Sequence, residues 1–197
     1  MFTGIIGQIG QIVNNNNDKL SISTTWSDLV IGESIAVNGI CLTLAQSINN
    51  IMHFNFSIET SKCTNINNLV VNTNVNLERA LTMQQRFGGH YITGHIDTIA
   101  IIIAIQCIDD YQNITVGNFL LPANLYLIPK GSITLDGVSL TINVIDDSGI
   151  KIMLVPHTLQ HTTLKYLQVG QQINVEFDYL TKIIAYQVGQ LMQKSNI

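Results

Sequence analysis

Charge is scarce in this chain: 197 residues carry nine Lys or Arg against thirteen Asp or Glu, a formal net charge of −4. No run of Lys or Arg occurs, so neither a nucleic acid nor an anionic membrane is an expected partner. Cysteine is scarce too. Cys41, Cys63 and Cys107 are an odd number without CxxC spacing, which argues against a disulfide framework or a zinc site. His157 and His161 stand four apart with no third ligand at sensible spacing, so no metal is expected. The longest apolar run, Ile99 to Ile105, falls far short of a membrane span, and no charged segment leading into an apolar one opens the chain. These absences predict a cytoplasmic protein in a reducing compartment. What is plentiful is apolar: 46% hydrophobic residues with 11% charged imply a compact fold whose sparsely charged surface suits an oligomer.

The chain also repeats itself. Phe2-Thr3-Gly4-Ile5-Ile6 returns as Ile92-Thr93-Gly94-His95-Ile96, 90 residues on. Ser34 to Thr43 returns as Ser132 to Thr141 at an offset of 98, which also carries Glu59-Thr60 onto His157-Thr158 and Val75 to Glu78 onto Ile173 to Glu176. A period of this size is a domain, not a solenoid unit. The sequence therefore predicts a tandem duplication with two similar pockets.

Short alternating segments dominate each half: Ile5–Val13, Lys19–Thr24, Ser34–Val37, Leu42–Gln46, Met52–Ile58 and Val75–Glu78 in the first. Turn signals such as Asn38-Gly39, Asn49-Asn50 and Asp136-Gly137 divide them, and Asn14 to Asn17 reads as a solvated loop. Six short strands per repeat predict an all-β protein with a small barrel or sandwich in each half. Residues 182–194 form the one convincing helix, with Ile184, Val188 and Leu191 in a single apolar stripe. That stripe either folds back on the chain or packs against copies of itself.

Met1 to Ile6, Val37 to Thr43, Asn76 to Ala80, Gly88-Gly89-His90, Gly94-His95-Ile96 and Asp136 to Thr141 together resemble the riboflavin synthase family of lumazine-binding repeats. The likeness runs from residue 1 to about residue 180, in the family's order. It implies two six-stranded Greek-key barrels (1–88 and 89–181), a C-terminal trimerisation helix (182–197) and a homotrimer, with lumazine synthase a candidate partner. It also implies dismutation of two molecules of 6,7-dimethyl-8-ribityllumazine into riboflavin and 5-amino-6-ribitylaminouracil, without metal or external cofactor. A non-catalytic lumazine- or flavin-binding protein is the alternative, and a purely structural trimer a more distant one.

The same resemblance proposes the site. Gly4, Ile5 and Ile6, with Gly94, His95 and Ile96, border the ligand, where glycine permits a close backbone approach. Cys41 and Ser139 lie near the reacting rings, with Leu42 and Leu140 beside them. Thr43 and Thr141 share their strand face and can hydrogen-bond the pyrimidine edge. Asn55, Phe56, Ser57, Ile58, Glu59 and Thr60, matched by Met153, Leu154, Val155, Pro156, His157 and Thr158, surround the ribityl chain. His95 is the candidate to move a proton, Asp136 to orient or relay, and Lys130 to bind. His95, Lys130 and Asp136 have Ile5, Gly32 and Asn38 as their counterparts, so the second half is expected to carry the chemistry. Phe2 is expected to cover a site between subunits, while Glu78 and Glu176 could equally be surface carboxylates and are left out of the site.

Overall fold

The computed structural model describes residues 1–16, 18–119 and 123–195. The first repeat builds β1 (Gln8–Asn16), β2 (Lys19–Ser23), β3 (Ser34–Val37), β4 (Ile40–Ile48), β5 (Ile51–Asn55) and β6 (Asn74–Arg79). They close a barrel in the order β1-β2-β5-β4-β3-β6. Asn38 and Asn49 enter their hairpin turns at φ 44° and 50°, the left-handed region that Asn tolerates and these turns demand. Alternation along the strands sends Ile12, Leu20, Ile22, Leu42, Leu44, Phe54 and Leu77 into one core.

The second repeat builds β7 (Thr98–Ile108), β8 (Tyr111–Gly117), β9 (Ser132–Leu135), β10 (Val138–Thr141), β11 (Val144–Asp146), β12 (Gly149–Leu154) and β13 (Gln172–Phe177). Its sheet runs β10-β9-β13-β7-β8-β12-β11. Its two end strands, β10 and β11, are consecutive in the chain and together match β4, so this sheet curls as the first one does. At the break the Asn143 side chain accepts the Met153 N–H at 3.0 Å; the first repeat has a register shift between Leu44 and Gln46 at the same place. Both repeats also bulge in their first strand, between Ile12 and Asn14 and between Ile102 and Ala104.

Four expectations need correction. The first strand begins at Gln8 rather than Ile5, because the residues before it leave their own sheet. The strand expected to reach Ile58 ends at Asn55, and Ile58–Cys63 forms α1, capped by Ser57 Oγ accepting the Thr60 N–H at 3.1 Å. Its counterpart α2 (Pro156–His161) opens on proline, which suits a first helical turn. Asn14 to Asn16 extend β1 instead of looping, with Asn15 donating to the Ile66 and Leu69 carbonyls; Asn17 lies outside the described residues. Helix α3 (Tyr179–Ser195) is longer than expected, and Ile184, Val188 and Leu191 are 62%, 45% and 64% exposed. The stripe does not fold back onto its own barrels.

Reciprocal bonds join the repeats. Asn38 Oδ1 accepts the Asn76 N–H at 2.8 Å, and Asp136 Oδ1 the Asn174 N–H at 2.9 Å. Asn76 Nδ2 then donates across the seam to the Asp136 carbonyl (2.9 Å), and Asn174 Nδ2 to that of Asn38 (3.0 Å). Gly39 and Gly137 meet between them, so close that a Cβ on either would come within 2.8 Å of the other's backbone nitrogen. Each contact from i to j recurs from j to i, the signature of a two-fold relation.

Candidate functional site

The two matching sites are built crosswise. Thr3 and Gly4 donate their N–H groups to Glu78, at 2.7 and 2.9 Å, and the Gly4 carbonyl then accepts the Ser139 N–H of the opposite repeat at 3.0 Å. In the other direction Thr93 and Gly94 donate to Glu176 at 2.8 and 2.9 Å, and the Gly94 carbonyl accepts the Cys41 N–H at 2.8 Å. Gly4 and Gly94 sit at φ 79° and 80°, and a Cβ on Gly94 would fall 2.5 Å from that of Cys41. Only glycine fits both demands. Ile6 packs on the second repeat's core and Ile96 on the first's. Phe2 is fully buried in the seam with Ala36 and Ile92, which corrects its expected role as a cover between subunits.

His95 accordingly belongs to the first repeat's pocket. A cavity of about 200 Å³ is lined by Cys41, Glu59, Thr60 and Cys63 together with Gly94, His95 and Ile96. Cys41 is half-buried and Thr43 exposed on the outer face of β4, while Leu42 between them points into the core. The same alternation leaves Ser139 half-buried, Thr141 exposed and Leu140 inside. Leu42, Leu140 and Leu154 are thus core side chains that offer a ligand only their main chain, a correction set by the two-residue period of the strand. Asn55, Ser57, Ile58 and Glu59 are exposed around the start of α1, and Phe56 leans on the core beside half-buried Thr60. Val155 and His157 are exposed at the matching end of β12, with Met153, Pro156 and Thr158 half-buried.

Around Ser139 the second repeat adds polar groups that the first lacks. Ser139 Oγ lies 2.7 Å from His90 Nδ1, and Thr134 Oγ1 lies 3.1 Å from His90 Nε2. Burial pushes the His90 imidazole below its ordinary range, against an opposing pull from Asp178. In the neutral ring one nitrogen donates to its hydroxyl partner and the other accepts from its own, so the two hydroxyls fix the tautomer between them. At the place of Thr134 the first repeat carries Ala36, packed with Phe2 and Ile92.

Two expected groupings dissolve. The Asp136 carboxyl, expected beside Ser139, is 4% exposed and committed to Asn174 in the seam. Lys130 stands on an exposed left-handed turn ahead of β9, its N–H bonded to the Ile142 carbonyl at 2.8 Å. His95, Lys130 and Asp136 therefore do not form one set in the second half. Glu78 and Glu176, left out of the expected site, are buried, and burial raises both carboxyls despite three N–H or O–H donors apiece. Their signal was the in-register repeat of Asn-x-Glu at 76–78 and 174–176.

Residues 3–80 and 93–178 each match the family model of the lumazine binding domain. Riboflavin synthase of Photobacterium leiognathi is 38% identical over 210 residues, covering 100% of this chain and 95% of that protein. The Bacillus subtilis enzyme of that name is 37% identical over 190 residues, covering 92% and 87%, and the Saccharomyces cerevisiae one 35% over 207, covering 95% and 86%. Among solved structures, LumP complexed with riboflavin superposes with a TM-score of 0.78 at 26% identity, covering 90% of this chain and 99% of that one. LumP complexed with 6,7-dimethyl-8-(1'-D-ribityl) lumazine gives 0.77 at 26%, covering 89% and 98%. With both halves matched and full-length relatives at this identity, the chain belongs to the lumazine-binding-domain family and stands among its riboflavin synthases.

Proposed function

We propose that this protein dismutates two molecules of 6,7-dimethyl-8-ribityllumazine into riboflavin and 5-amino-6-ribitylaminouracil. One lumazine surrenders a four-carbon unit and the other receives it. The products hold every atom of the two substrates, so no oxidant or reductant is consumed. The observation that carries this reading is the pair of matching outward-facing strand sites, Cys41 with Thr43 and Ser139 with Thr141, each met by a glycine loop from the opposite repeat. Two copies of one substrate call for two such sites. Holding the rings together replaces an encounter in solution, worth up to about 7–11 kcal/mol.

In this reading the threonines and the main chain beside Leu42 and Leu140 bind the pyrimidine edge. Residues around α1 and α2 hold the ribityl chain. His95, on the rim of the Cys41 pocket, takes a proton from the 7-methyl group, whose anion delocalises into the ring. Cys41 and Ser139 stand nearest the reacting carbons. The exposed stripe of α3 joins three copies, and the productive site joins the Cys41 pocket of the N-terminal barrel in one subunit, with the loop that carries His95, to the Ser139 face of the C-terminal barrel in another. Cytoplasmic location and association with lumazine synthase belong to the same proposal.

The rival is a binding protein without turnover, which the LumP complexes bring into view. Purified protein incubated with the lumazine and followed by chromatography decides between them. Riboflavin and the pyrimidine should appear in equal amounts; lumazine bound but unconsumed would establish the rival.

A further inference from the structure

Glu78 and Glu176 are nearly or wholly buried, at 7% and 0% exposure, and no salt bridge reaches either among the described residues. Each accepts only from one short stretch of chain. Glu176 takes the Thr93 N–H at 2.8 Å, the Thr93 hydroxyl at 2.6 Å and the Gly94 N–H at 2.9 Å. Glu78 takes the same three donors from Thr3 and Gly4, at 2.7, 3.1 and 2.9 Å. Desolvating a carboxylate is costly, and an amide or hydroxyl would tie down a loop at less expense. What a carboxylate adds is two acceptor oxygens in one plane, fixing successive N–H groups in direction as well as distance.

We infer that Glu176 and Glu78 are positioning residues, each holding from its own repeat the glycine loop that completes the pocket of the other. The inference rests on the functional reading above only in what the pockets are for. From Glu176 the chain of contacts runs through Gly94 to the Cys41 N–H, and the residue after Gly94 is His95 on the cavity rim. From Glu78 it runs through Gly4 to the Ser139 N–H. Each Glu therefore sets where one pocket's polar side chain lies relative to the loop facing it. Loosening Glu176 should free Cys41 and His95 and leave the Ser139 side in place; loosening Glu78 should do the reverse.

Glu176→Gln is the probe, because its NH₂ must face a backbone N–H that the carboxylate had accepted. Wild type, Glu176→Gln and Glu78→Gln are treated with iodoacetamide, and each cysteine is followed by peptide mass spectrometry. Glu176→Gln should raise the Cys41 rate about tenfold, with exposed Cys107 as the unchanged internal control, and Glu78→Gln should leave Cys41 near wild type. An unchanged Cys41 rate in Glu176→Gln, or an equal rise in both variants, overturns the inference. Should Glu176→Gln fail to accumulate, Thr93→Ala removes one bond of the three and must move Cys41 in the same direction. Turnover is measured separately, where Glu176→Gln should lower kcat more than it raises KM. Wild type inactive on the lumazine would defeat the functional reading and leave the alkylation result standing.

Discussion

Asn38 and Asp136 occupy the same turn position in the two repeats and accept the same main-chain proton, yet only Asp136 can ionise. Full burial pushes its carboxyl from 3.8 up to about 7. A folded pKa above the ordinary one means the protonated form favours the fold. Its contribution is whole below about pH 4 and is lost as pH rises through about 7. Asp136→Asn supplies the same acceptor without the charge, as Asn38 already does. It should gain ~1–3 kcal/mol over wild type at pH 8 and little at pH 4, in urea unfolding at both. Equal pH slopes in the two proteins would return Asp136 to the chemistry. The sequence offered this residue to orient or relay because it sits on a turn just before Ser139. Burial at a seam leaves no local trace. Cys41 and Ser139 were legible because a small polar residue recurred in register; Glu78 and Glu176 recurred equally well, but one Glu in a short strand looks solvated until both its faces prove covered.

Elements were read well where the chain itself carries the signal. Asn-Gly and Asp-Gly mark two hairpins, and two-residue alternation locates most of the strands. The six-residue helices α1 and α2 escaped, being too short to show a helical period. Helix α3 was legible, and its exposed face sets an expectation. Leu180, Ile183, Ile184, Tyr186 and Val188 are all at least 43% exposed, apolar area that a lone subunit would present to water. A chain ending at Asp178 should sediment as a monomer and the full chain should sediment as a trimer. A truncated chain that stays trimeric would place assembly on the barrels.

For the whole molecule, local sequence could not disclose that each repeat lends a loop to the other, since Cys41 and Gly94 lie 53 positions apart and Gly4 and Ser139 lie 135 apart, with no shared spacing. The proposed pairing between subunits has its own check. Trimers carrying Cys41→Ala with Thr43→Ala are mixed with trimers carrying Ser139→Ala with Thr141→Ala. After subunit exchange, some assemblies hold one unaltered pair of pockets, and turnover should partly return. Proven exchange without any recovery would put both pockets of a working site in one chain.

The crosswise loops also record a history. Two copies of a single-repeat chain, lending their first residues to each other around a two-fold axis, would make the paired contacts of Asn76, Asn174, Gly4 and Gly94 at the seam. Joining them head to tail requires only the stretch from Thr82 to Tyr91. Once fused, the halves were free to diverge. In a homodimer a change at position 41 alters both pockets together, whereas one gene can keep Cys41 on one side and acquire Ser139 with His90 and Thr134 on the other. Fusion is what allows two pockets for the same molecule to treat it differently.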